Sequence, residues 1–102
     1  MAQVSWTESS LSDLDAIADY IAIDNPIAAS EVVLEVFEKV SMLEDFPEMF
    51  PHPHDLPDKR YRHMSIPPVR VFYRIEGDTV YIVYIMRAER HLTIVDLEDR
   101  TQ

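Results

Sequence analysis

Apolar residues recur at helical spacing through the first half of the chain and at every second position through much of the rest. Val4-Ser5-Trp6 is a short β-like opening, and Thr7 behind it is a good helix N-cap. From there to Ile23, the residues Leu11, Leu14, Ile17, Ala18 and Ile21 share one helical face, with Asp13, Asp15 and Asp19 assigned to solvent. Asp24-Asn25-Pro26 starts a second helix, since Asn25 can cap and Pro26 suits the first helical position. Ala29, Val33, Val36, Phe37, Val40 and Leu43 form its apolar face, Glu35 and Lys39 make an i,i+4 pair, and Pro47 closes it. The tight break between the two predicts an antiparallel helix hairpin.

Residues 47–58 hold four of the seven prolines and read as a stiffened loop. Beyond them the period changes from 3.6 to 2. Arg60 to Ile66 and Val69 to Glu76 read as strands separated by Pro67-Pro68. Gly77-Asp78 is a two-residue hairpin turn that uses the only glycine where positive φ is needed, and Thr79 to Arg87 is the returning strand.

That turn predicts a register in which Glu76 faces Thr79, Arg74 faces Tyr81, Phe72 faces Val83 and Arg70 faces Ile85. One face then carries Val69, Val71, Tyr73, Ile75, Val80, Ile82, Tyr84 and Met86, and the helices must cover it. Val71, Tyr73, Ile82 and Tyr84 are expected under Leu14, Ile21, Val33 and Phe37. The opposite face carries Arg70, Phe72, Arg74, Tyr81, Val83, Ile85 and Arg87. Two readings of this second face stay open. Arginine forks and aromatic rings suit an RNA or a protein partner. Alternatively the tail from Leu92 to Leu97 covers its apolar residues, and the arginines pair with Glu76 and Glu89.

With 102 residues the chain reads as one domain over 1–102, its tail 93–102 being the flexible part. The absence of cysteine excludes disulfides, thiolate nucleophiles and zinc fingers, and a single glycine excludes a P-loop or a dinucleotide fingerprint. The opening Met1–Trp6 lacks the regions of a secretory signal and no apolar run could span a membrane, so a cytoplasmic protein with no membrane partner is expected. His52 and His54 lack a third ligand at metal-binding spacing, so neither metal nor cofactor is expected.

Charge divides the chain. Residues 1–58 carry a net charge of −12 and residues 59–91 a net of +4, within a total of −10. The overall charge argues against general nucleic-acid affinity, while the basic second half can still meet an anion, and no direct sequence-specific DNA binding by this chain alone is expected.

Several segments, taken in order, resemble the RelE/ParE superfamily of toxins from type II toxin–antitoxin (plasmid stabilisation) systems. They are Asp13–Ile21, Leu43-Glu44-Asp45-Phe46-Pro47, Tyr61-Arg62, Arg70-Val71-Phe72-Tyr73-Arg74, Glu76-Gly77-Asp78, and an Ile/Val/Tyr strand with an arginine-rich end. The resemblance covers about residues 3–92. It implies an α+β fold in which an N-terminal helix hairpin packs on one face of a small, twisted, mainly antiparallel sheet. It also implies a cognate antitoxin, usually encoded alongside and here expected to be of ribbon-helix-helix type. Two activities are known in the superfamily: RelE-like members cut mRNA on the ribosome, and ParE-like members poison DNA gyrase.

Metal-free RNA cleavage needs a base, an acid and cations for the phosphorane charge. Arg70 matches the arginine of the family's Tyr-Arg-x-x-Tyr strand, although Val69 replaces the tyrosine. The family's His-Gly-Arg-Arg-Asp ending reads Arg87-Ala88-Glu89-Arg90-His91 here. If the chain is a ribonuclease, His91, Arg70 and Arg87 are its candidate catalytic residues, with His63 read chiefly as a strand-surface residue. If it is ParE-like, the candidate target- and partner-binding residues are Arg70, Phe72, Arg74, Tyr81, Arg87 and Arg90. The departures in the ending, the scarcity of lysine and the acidic total favour the ParE-like branch. An interaction module of the same fold without toxicity is a third reading. Trp6 and Tyr20 are expected to be core or interface aromatics.

Overall fold

Residue chemistry sets the first half of the fold through two helix starts. In the computed structural model, which describes residues 1–88, Thr7 Oγ1 accepts the Ser10 N–H at 3.1 Å and opens helix α1, Glu8–Asp24. Asn25 Oδ1 accepts the Ala28 N–H at 3.1 Å and, with Pro26 behind it, opens helix α2, Pro26–Ser41. The second helix ends before Pro47. Its last turn tightens into a 3₁₀ turn, Met42–Glu44, where the Asp45 and Phe46 amides both bond the Met42 carbonyl.

Strands β1, Gln3–Trp6, β2, Tyr61–Ile66, β3, Val69–Glu76, and β4, Thr79–Arg87, form one sheet in the order β1-β4-β3-β2. The β2–β3 and β3–β4 pairs are antiparallel and β1 runs parallel to β4. Gly77 takes φ 59° in the tight turn, and the Pro67-Pro68 peptide between β2 and β3 is cis.

The predicted register holds only as far as Ile82. Glu76 faces Thr79 and Arg74 faces Tyr81 as expected, but Phe72 faces Tyr84, Val71 faces Ile85 and Arg70 faces Met86. Val83 is the extra residue of a β-bulge, and beyond it the in–out alternation of β4 reverses. Ile85 therefore joins Leu14, Val36, Val40, Val71, Tyr73 and Ile82 in the core beneath the helices. Tyr84 and Met86 join Phe72 and Val83 on the other face. Of the residues expected above this core, Leu14 is buried and Val33 packs against it, whereas Phe37 is 44% exposed and leans on Trp6.

The bulge has a partner on α1. β1 ends opposite Ile82, whose carbonyl is closed by the Thr7 amide and hydroxyl at 3.1 and 3.0 Å. The next outward-facing amide of β4, that of Ile85, donates to Asp13 Oδ2 at 3.1 Å. The helical pattern assigns Asp13 to solvent, but its carboxylate satisfies backbone that β1 is too short to reach.

Candidate functional site

The sheet face away from the helices is covered by the chain itself. The proline-rich segment between the 3₁₀ turn and β2 folds across it as a strap. Arg62 Nη1 donates to the Phe50 carbonyl at 2.8 Å, the His63 amide donates to the Pro51 carbonyl at 3.0 Å, and His52 Nδ1 lies 2.9 Å from the Tyr61 carbonyl. Between these anchors Leu56, 2% exposed, packs into a second apolar cluster with Tyr61, Phe72, Val83, Tyr84 and Met86. A strand face that sequence leaves half-polar thus has its own small core.

Four of the candidate arginine and aromatic positions meet here in two pairs. The Arg70 guanidinium lies over the Phe72 ring at 4.8 Å, and that of Arg74 over the Tyr81 ring at 4.9 Å. Arg74 also pairs with Glu76 at 3.4 Å, and its buried Nη1 has no hydrogen-bond partner among the described residues. Arg70 is more tightly held. Its Nη1 and Nη2 each donate to one Asp55 carboxylate oxygen at 2.9 Å, a two-pronged pair with the Arg70 side chain 13% exposed.

His63 completes the cluster. Its ring stacks on Phe72 at 5.9 Å, and its Nδ1 lies 3.2 Å from Arg70 Nη2. Burial, reinforced by the positive charge of Arg70, pushes the imidazole below its ordinary pKa and so favours its neutral form. A guanidinium with a neutral ring nitrogen beside it can bind an oxyanion and accept a proton.

Arg87 does not belong to this face. The bulge turns it toward α1, where its guanidinium lies over the Tyr20 ring at 4.7 Å. It borders a cleft of about 230 Å³ that Asp13, Ile17 and Ile85 also line. The face predicted from strict alternation is therefore split: Arg70, Phe72, Arg74 and Tyr81 share it, Arg87 is on the helix side, and Ile85 is in the main core. Phe72 is fully buried, so it presents no free ring to a partner. The predicted site residues Arg90 and His91, together with Glu89 and the tail over Leu92 to Leu97, lie outside the described residues. Asp55, Leu56 and Asp13 hold this part of the fold together, yet the sequence pattern does not mark them as site residues. Their roles depend on contacts made across the fold, for which a loop aspartate or leucine carries no local signal.

A helix hairpin packed on one face of a four-stranded mixed sheet is an α+β fold of the RelE/ParE type. The chain belongs to the family described as ParE toxin of type II toxin–antitoxin system, parDE, whose model matches residues 4–92. It is similar to Toxin RelE2 of Caulobacter vibrioides, with 35% identity over 91 residues, covering 88% of this chain and 99% of that relative. A solved structure titled Chromosomal ParDE TA system from P. aeruginosa superposes with a TM-score of 0.72 at 26% identity, covering 87% of this chain and 98% of that one. This protein is thus a type II toxin, and its family implies a cognate antitoxin. Among the described residues no helix is long and apolar enough to cross a membrane.

Proposed function

We propose that this toxin is ParE-like: it stops growth by binding an essential protein such as DNA gyrase. A cognate antitoxin, of ribbon-helix-helix type and encoded alongside, silences it in the cytoplasm by covering the binding surface. The observation that carries this reading is the closure of the outer sheet face. Arg70 is neutralised by Asp55, Phe72 is buried, and Arg87 faces the opposite side. Cleaving RNA needs cations and proton carriers converging on one phosphate, whereas here the arginines serve two different surfaces. The net charge of −10 also opposes the approach of this chain to the ribosome, a very large polyanion, at long range.

One observation favours the ribonuclease reading, and it is the contact of His63 with Arg70 at 3.2 Å. The two readings separate on expression of the toxin alone, with mRNA integrity and the DNA-damage response followed in parallel. A damage response with intact mRNA supports the ParE-like reading. Transcripts cut within codons, without a damage response, refute it.

A further inference from the structure

The guanidinium of Arg70 is a built oxyanion seat that already has an occupant. It is held on three sides: Phe72 lies beneath it at 4.8 Å, His63 Nδ1 is beside it at 3.2 Å, and β3 fixes its stem. The open fork takes both oxygens of Asp55. Asp55 does not come from the sheet. It sits on the strap next to Leu56, whose side chain plugs the outer cluster. Removing Asp55 from the fork therefore means lifting Leu56 as well, so an electrostatic contact and an apolar contact open together.

We propose that the strap over residues 51–60 is an internal lock, in which Asp55 stands in for a carboxylate that an acidic peptide segment presents to Arg70 once the strap lifts. The proposal rests on the reading of Arg70 as a partner-binding residue, although not on what the toxin attacks. The seat favours a peptide carboxylate over a nucleic-acid phosphate for two reasons. The fork is already shaped by a planar two-oxygen group, and the Phe72 ring beneath it is fully buried and has no face left on which a base could stack. Because only the open fraction of molecules can bind, the closed strap lowers the apparent affinity by that fraction.

The experiment uses the full chain and hexaglutamate as the probe, with a thymidine decanucleotide alongside. Asp55→Asn keeps the size of the side chain but loses the charge that grips the fork, so hexaglutamate should bind about tenfold more tightly than to the wild type. Asp58→Asn removes the same charge from the same strap at a residue paired with Arg60, and should change affinity by less than about twofold. Adding Arg70→Gln to Asp55→Asn should abolish the gain. In the wild type, saturating hexaglutamate should speed amide exchange over residues 53–58, because the strap must lift. Equal gains in the Asp55 and Asp58 variants would overturn the lock. So would binding that leaves strap exchange unchanged, or a gain for the oligonucleotide alone. None of these outcomes depends on whether gyrase is inhibited, so the lock and the ParE-like reading fail independently.

Discussion

The carboxylate of Asp13 on α1 accepts the amide of Ile85 on β4 at 3.1 Å, and through that bond the helix hairpin holds the bulged strand where β1 no longer reaches. The contact joins two elements 72 positions apart and lies at the point where β4 reverses its alternation. Removing the acceptor strands a partly buried amide. Asp13→Ala should cost about 1–3 kcal/mol of stability, measured by denaturant unfolding, whereas the helix-surface variant Asp15→Ala should fall within about 0.5 kcal/mol of the wild type.

The same reversal carries Arg87 to the helix side. A double-mutant cycle on Tyr20→Ala and Arg87→Ala should give a coupling near the exposed end of the cation–π range, about 0.5–1 kcal/mol, since Tyr20 is 61% exposed. The corresponding cycle on Tyr81 and Arg87, paired on one face by strict alternation, should give coupling close to zero.

These two contacts mark where the sequence stops being legible. The caps at Thr7 and Asn25, the hairpin turn at Gly77 and the register near it follow from local chemistry, and the structure has them. The bulge at Val83 does not follow, because every residue from Val80 to Met86 is apolar or aromatic. Either phase of alternation buries an equally hydrophobic set, so no polar residue on the wrong face exposes the slip. The strap was readable as a loop from its prolines. That it folds back over the sheet rests on one leucine and one aspartate, both ordinary loop residues until the outer face is assembled. Hence the arginines of β3 could be found from sequence, whereas their intramolecular partner could not.

His63 gives the fold a dependence on acid. Burial and the neighbouring Arg70 hold its folded-state pKa below the unfolded value of 6.5, with Asp55 opposing and His54 adding to the shift. Between the two values the unfolded chain binds more protons, so stability rises with pH. The contribution is complete above the unfolded value and is lost as pH falls from there through the lower folded-state value. Chemical denaturation at pH 5 and pH 8 should show a larger stability difference for the wild type than for His63→Gln.

Tyr73 acts at the other end of the scale. Its hydroxyl donates to the Pro47 carbonyl at 2.9 Å, and burial raises its pKa from 10.0 to about 12. Between these values the folded chain keeps a proton that the unfolded chain releases, so stability declines as pH rises through 10. Tyr73→Phe should be less stable at neutral pH, by about 1 kcal/mol for the lost hydrogen bond. It should lack that part of the alkaline decline, which thermal melts at pH 9 and pH 11 would reveal.

The most direct test of binding against chemistry is growth arrest by a toxin stripped of its candidate proton carriers. His63→Gln/His91→Gln leaves polar side chains at both positions and removes the proton exchange near neutral pH that the two candidate histidines could supply there. A protein that acts by binding loses little, so arrest at matched expression should stay within about twofold of the wild type. A general acid–base contribution is worth about 10²–10⁴ in rate. Loss of arrest in the double variant, with its melting temperature and antitoxin binding unchanged, would contradict the ParE-like account and make the protein a ribonuclease.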